Sequence, residues 1–257
     1  MLSSTPRLVR HDRFSSRALS GERGVTVWLP PGYEDAGDAR YPVLYLQDGQ
    51  NLFDPEAAYV KGETWRVAET AGALIDAGQL QPLLIVGIDH GEANRLHEYT
   101  PTPDRRRGGG GASGYARLII DELKPFIDRT YRTRPEPAHT GIGGSSLGAL
   151  VALYLGLTRP DVFGRAAVLS PSVWWDRRAI LRTVRQARPA PPLRVWVDIG
   201  SREGRLHVEN ARLLRAGLID SGWIEGETLH YEEVADGTHS ERAWADRFGR
   251  VVQWLFR

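Results

Sequence analysis

Thr140-Gly141-Ile142-Gly143-Gly144-Ser145-Ser146-Leu147-Gly148-Ala149-Leu150 is a run of small residues that passes directly into an apolar one. Inside it, Gly144-Ser145-Ser146-Leu147-Gly148 is a G-x-S-x-G pentapeptide, the pattern of a serine on a sharp turn between a buried strand and a helix. Glycines flank such a serine because the turn crowds the backbone and leaves no room for a Cβ. Of the two adjacent serines only Ser146 has glycine two residues away on both sides; Ser145 is followed at that distance by Leu147. Gly and Ser are common, so the pentapeptide alone is a weak signal. Its context is stronger: His139 to Gly143 is short and small like a strand. Leu147 to Leu157 is Ala- and Leu-rich like a buried helix, ending before Pro160.

Working outward, short apolar runs alternate with helical spacings. Arg7 to Ser16 and Val25 to Leu29 read as an opening strand pair, with Gly21-Glu22-Arg23-Gly24 as the turn, and Pro30-Pro31-Gly32-Tyr33 stops the sheet. Tyr41 to Leu46 and Pro82 to Ile88 are continuous apolar runs of the kind buried on both faces of a parallel sheet. Between them, Thr64 to Ala77 has helical spacing. Tyr115 to Tyr131 is an amphipathic helix in which Pro125 predicts a kink or an early break. Beyond the pentapeptide the reading is strand 163–170, helix 177–186, strand 193–199, helix 208–220, strand 227–234 and helix 240–256. This alternation predicts one α/β domain over residues 1–257, with a mostly parallel central sheet of about eight strands and helices on both faces. Asp89 to Ser113 is the longest irregular stretch, with Arg105-Arg106-Arg107 and Gly108 to Gly111. It reads as a mobile surface loop or, more sharply, as a lid whose arginines meet an anionic substrate.

In open α/β sheets, functional groups gather beyond the carboxyl ends of the strands. Ser146 follows one strand, Gly200-Ser201-Arg202-Glu203-Gly204 another, and Ala235-Asp236-Gly237-Thr238-His239-Ser240 a third. The order serine, acid, histidine is that of α/β-hydrolases. A serine hydroxyl needs a base within hydrogen-bond reach, and the base needs an orienting acid. His239, in a Gly-containing loop before the last helix, is the candidate base. Glu203 is the favoured acid; Asp198 lies inside its strand, and Asp236 shares the histidine's loop. An oxyanion needs backbone N–H donors. Leu147, directly after the serine, is one candidate; Gln50, in the turn after Tyr41 to Leu46, is the other. In that same turn Asp48 reads as a buried anchor or a substrate contact. Trp174, Trp175, Tyr99 and Arg95 are candidates for the substrate-binding wall, with packing an equal alternative for the aromatic three.

Composition narrows the partners. A net charge of +1 over 257 residues gives no reason to expect nucleic acid or a membrane surface. The absence of cysteine removes disulfides and thiolate metal sites. His90, Glu92 and His97 are spaced too irregularly for a metal site. Met1 to Ser20 has no apolar run of the signal-peptide kind, and no run approaches membrane-spanning length, so a cytoplasmic location is the expectation.

Together the motifs are recognisable. The chain resembles the putative esterase family of α/β-hydrolases, which includes enterochelin esterases, feruloyl esterase domains, esterase D and mycolyltransferases. The resemblance rests on Leu29-Pro30-Pro31-Gly32-Tyr33, Tyr45 to Asn51, Arg95 with Glu98-Tyr99-Thr100-Pro101, and Glu122-Leu123-Lys124-Pro125. It continues through Gly144 to Gly148, Ser170-Pro171-Ser172 and the His239 loop. It implies Ser146 as nucleophile, Glu203 as acid, His239 as base, and Gln50 with Leu147 as oxyanion donors, with no cofactor. The expected activity is hydrolysis of a small carboxylic ester, with short-chain, aryl and siderophore esters as candidates. Acyl transfer by the same residues and a non-catalytic binding protein are the alternatives.

Overall fold

The structure, a computed structural model, describes residues 7–187 and 193–256. The chain opens with β1 (Arg7–Ser15) and β2 (Glu22–Leu29), then β3 (Val43–Gln47), α1 (Val67–Asp76) and β4 (Leu84–Ile88). A short α2 (Arg95–Glu98) and a small ribbon of β5 (Pro103–Asp104) and β6 (Gly108–Gly109) lead to α3 (Ala112–Arg117) and α4 (Lys124–Thr130). The remainder is β7 (Thr140–Ser145), α5 (Leu147–Thr158), β8 (Arg165–Leu169), α6 (Trp175–Arg178) and α7 (Ile180–Gln186), then β9 (Arg194–Gly200), α8 (Arg205–Asp220), β10 (Leu229–Val234) and α9 (Glu241–Leu255). Among the described residues no helix is long and apolar enough to cross a membrane.

Eight strands form one sheet in the order β1-β2-β4-β3-β7-β8-β9-β10. β2 runs antiparallel to β1 and β4, and the other pairings are parallel. Register aligns the carboxyl ends: Leu46 pairs with Gly143, Ser145 with Leu169, Leu169 with Asp198, and Val234 with Gly200. The turns after β3, β7, β8, β9 and β10 therefore leave the sheet along one rim.

Strand periodicity splits the core in two. Val43 and Tyr45 of β3 pack with Tyr115, Ile119, Leu123 and Val151 on one face. Leu44 and Leu46 pack with Trp65, Val67, Trp244, Phe248 and Val252 of the α1 and α9 side on the other. Further along the first face, Ala166, Val168, Val195 and Val197 meet Leu150, Val184, Leu214 and Leu218.

Three stretches depart from the sequence expectation. β2 starts at Glu22 rather than Val25, because Arg23 is not a turn residue: its guanidinium is buried and bonds both carboxylate oxygens of Glu98, at 2.9 and 3.0 Å. The helix containing Pro125 does not break early: it runs on through the proline to Thr130. A π-helical segment, Leu118–Leu123, joins α3 to α4, and the Lys124 N–H reaches back five residues to Ile119 O. Proline lacks an N–H and clashes with the preceding turn, and the wider π turn takes up that misfit immediately before it. Finally, residues 89–113 carry α2 and the β5–β6 ribbon. The glycine run has structural reasons: Gly108, Gly109 and Gly110 sit at φ of +74°, +90° and +91°. A Cβ on Gly109 would lie 2.3 Å from Thr100 Oγ1.

Removing one member of a buried ion pair leaves the other charge unpaired, at a cost of about 3–5 kcal/mol. Arg23→Ala is accordingly expected to lower unfolding stability by about that amount in urea titration. The double change Arg23→Leu with Glu98→Leu should cost markedly less than the single one.

Candidate active site

The site begins with a backbone constraint. Ser146, between β7 and α5, sits at φ 57°, ψ −119°, a region L residues avoid. Its N–H donates to Leu169 O at 3.0 Å, and its carbonyl accepts from Ser172 N–H at 3.0 Å and Leu150 N–H at 3.1 Å. A Cβ on Gly144 would lie 2.9 Å from the carbonyl carbon of Gly148, and one on Gly148 would lie 3.0 Å from Gln47 Cβ, so the first glycine lets the turn close and the second lets α5 approach β3. Ser145 is buried in the strand, whereas Ser146 is half-buried at the rim.

The acid and the histidine come from the turns after β9 and β10. Glu203 Oε2 accepts from His239 Nδ1 at 2.7 Å. Its other oxygen accepts from Gly200 N–H at 2.8 Å and from the Ser170 hydroxyl at 2.6 Å. Burial acts to raise this carboxyl, but the hydrogen bonds from His239, Ser170 and Gly200 outweigh it and hold its pKa below the ordinary value. An ionised carboxylate only accepts, so Nδ1 of His239 carries a proton, and in the neutral ring that makes Nε2 the acceptor. The imidazole rests edge-on against Trp244, with centroids 4.9 Å apart.

A buried layer fixes the glutamate. Ser170 Oγ, which donates to Glu203, itself accepts from Trp244 Nε1 at 2.9 Å and Arg247 Nη2 at 3.3 Å. Arg247 also donates to Asp198 at 2.7 Å, and Trp196 Nε1 donates to the same carboxylate at 2.8 Å. Burial pushes the Asp198 carboxyl up to about 6, while Arg247 and Trp196 pull it back. Of the acids weighed from the sequence, Glu203 is bonded to His239, Asp198 to Arg247, and Asp236 to the exposed Arg202 at 2.7 Å.

Ser146 and His239 line one cavity of about 340 Å³, together with Gln50, Asn51, Tyr59, Arg95 and Glu241. The Ser146 hydroxyl lies 3.3 Å from Ser172 Oγ; no hydrogen bond joins it to His239 in this resting geometry. Catalytic hydrogen bonds are commonly long before substrate binds. Leu147 is the first residue of α5, so its N–H has no intrahelical partner. Gln50 lies in a 3₁₀ turn, Gly49–Asn51, entered through Asp48 at φ 55°, ψ 50°. Its side-chain oxygen accepts from His90 N–H at 3.4 Å.

The expected aromatic wall is corrected. Tyr99 and Trp175 are 0% and 1% exposed, so both are packing residues. The Tyr99 hydroxyl accepts from Asp48 N–H, and Trp175 Nε1 donates to Thr102 O. Trp174 is half-buried, with the Arg107 guanidinium 5.3 Å from its ring centre, and does not line the cavity. Arg95 does line it, bonded to Asp48. Tyr59, 82% exposed, and Trp244 are cavity aromatics that the sequence reading missed, and Tyr59 carries no motif that marks it. Ser170, Ser172 and Trp244 were also missed as site residues. Their signal is positional: a strand end for the serines, and one helical turn beyond His239 for the tryptophan.

Residues 16–255 match a family model described as "Putative esterase". Over 257 aligned positions the chain is 29% identical to the uncharacterized protein YbbA of Bacillus subtilis, covering 94% of this chain and 95% of that one. It is 35% identical over 162 residues to the ferri-bacillibactin esterase BesA of Bacillus subtilis, covering 56% of this chain and 52% of that protein. A solved ferulic acid esterase superposes with a TM-score of 0.77 at 20% identity, covering 99% of each chain. The eight-stranded, mostly parallel sheet with helices on both faces is the α/β-hydrolase fold.

Hydrogen bonds to a charged group are worth about 1.5–3 kcal/mol, so Glu203→Gln is expected to cost about 2 kcal/mol of stability at pH 7. A carboxyl whose folded pKa is depressed contributes stability above its ordinary value of 4.5 and loses it as pH falls through the lower folded value. Urea titrations of both proteins should therefore show the gap closing below about pH 4.5.

Proposed function

The chain belongs to the putative esterase family, and from that premise we propose that it is a serine carboxylesterase working through an acyl-enzyme on Ser146. The Ser146 hydroxyl attacks the ester carbonyl while His239 Nε2 takes its proton. The N–H groups of Leu147 and Gln50 hold the oxyanion that forms. Collapse of the intermediate breaks the C–O bond, and His239 returns the proton to the departing alcohol. Water then attacks the acyl-serine with His239 again as base, which releases the carboxylic acid and restores the hydroxyl. Glu203 keeps Nδ1 protonated and stabilises the imidazolium formed in each half-reaction.

The observation that carries this reading is the 2.7 Å bond from His239 to Glu203, with its imidazole on the same cavity as the strained Ser146. The chemistry calls for a small-molecule ester and no metal or organic cofactor. A cavity of about 340 Å³ favours a compact acyl group. Short-chain and aryl esters are the first candidates, and the likeness to BesA adds siderophore esters.

Ser146→Ala is expected to lower kcat/KM on p-nitrophenyl acetate by about 10³-fold or more while circular dichroism stays unchanged. It should also abolish labelling by a fluorophosphonate probe. Full turnover by that variant would end the proposal. Parallel assays with p-nitrophenyl butyrate, methyl ferulate and enterobactin rank the substrate classes.

A further inference from the structure

Asp48 stands between the last residue of β3 and the turn that presents Gln50, and its backbone is left-handed at φ 55°, ψ 50°. A non-glycine residue stays there only when its surroundings over-determine it. On one side Gly49 is pressed against β4: a Cβ there would lie 2.7 Å from Gly87 C and Ile88 N. On the other side α2 reaches in. Arg95 donates from Nε to Asp48 Oδ1 at 2.7 Å and from Nη2 to Oδ2 at 2.8 Å. The Asp48 N–H donates to the Tyr99 hydroxyl at 3.2 Å. One segment thus holds both the side chain and the main chain of the residue from which the turn departs.

That segment is itself braced. Glu98, between the two contacts, bonds the buried Arg23 of β2. Tyr99 packs against Tyr115 of α3 with centroids 5.2 Å apart, and the Tyr115 hydroxyl donates to Gln47, the residue before Asp48. The fork of Arg95 is occupied by a carboxylate that balances its charge. Its place on the cavity wall therefore gives little attraction for an anionic substrate.

We propose that Arg95 is a positioning residue: clamped on Asp48, it sets the direction of the Gln50 N–H, and residues 95–99 serve as the brace of the oxyanion turn. The inference rests on the esterase reading and adds to it a role for the segment between β4 and α3. It also replaces the expectation that Arg95 binds substrate.

The test uses p-nitrophenyl acetate, which is neutral and offers Arg95 no anion. Losing one oxyanion donor costs about 10²–10³-fold in kcat, so Arg95→Met is expected to lower kcat by about 10²-fold with KM within about threefold. Arg95→Lys, which keeps one donor to Asp48, should recover part of the loss. Tyr99→Phe, which deletes only the hydroxyl, should lower kcat in the same pattern, and it decides the matter with Arg95→Lys should Arg95→Met not fold. A raised KM with kcat retained would make Arg95 a substrate contact and overturn the proposal. Unchanged constants in folded variants would overturn it too. A wild-type enzyme that neither turns over esters nor takes a fluorophosphonate label would instead remove the esterase reading itself, and this proposal with it.

Discussion

Everything at the strand rim depends on the backbone of Ser146 being held in a conformation that an L residue resists. The strain is stored between a strand of small residues and a helix buried along most of its length. Leu169 fixes its N–H, and Ser172 and Leu150 fix its carbonyl. Two of those partners, Leu169 and Ser172, lie on or just beyond the neighbouring strand β8. The serine's place is therefore set by sheet register as much as by its own turn. Glycine at 144 lets the turn close on the Gly148 backbone, and glycine at 148 lets α5 lie against Gln47 of β3.

Around this point the molecule places charge where water is excluded. Arg247 is 1% exposed and faces two carboxylates, Asp198 at 2.7 Å and Glu203 at 3.6 Å. One buried cation beside two buried acids is tolerated because Trp196, Trp244, Ser170 and Gly200 supply further donors. The arrangement divides the acids by role. Asp198 points from within its strand to Arg247, whereas Glu203, three residues past the strand end, turns back to the histidine. A second brace, from Arg23 through Glu98 to Arg95 and Asp48, serves the turn on the other side of the serine. Both supports consist of paired polar groups, most of them buried and Arg95 half-buried, which gives them directional geometry that apolar packing lacks.

The legible part of the site is the part announced by position after a strand. Ser146, Glu203 and His239 each follow a run readable as a buried strand, and they are separated by more than thirty residues that need not be understood to see the order. The illegible part consists of residues whose partners are remote in the chain. Arg23 reads as a turn residue until Glu98 is placed against it. Tyr99 and Trp175 read as wall aromatics, yet packing has closed over them. Tyr59, exposed at the cavity, follows no rule of spacing. The glycines at 108–110 read as mobility, yet all three take positive φ in and just after β6, where Gly109 lies against Thr100 and Gly110 against Pro103.

By itself the sequence determined the alternation of strand and helix, the sharp turn at Ser146 and the order of groups along the rim. These are local matters of periodicity, of glycine where a Cβ cannot fit, and of chain order. Position after a strand already favoured Glu203 over Asp198 and Asp236; the tertiary structure alone decided what holds that glutamate against His239, which arginine bonds Asp48, and which aromatics face the cavity. Those outcomes depend on hydrogen-bond geometry between segments that register and packing bring together, and such geometry leaves no trace in the spacing of residues along one strand or helix.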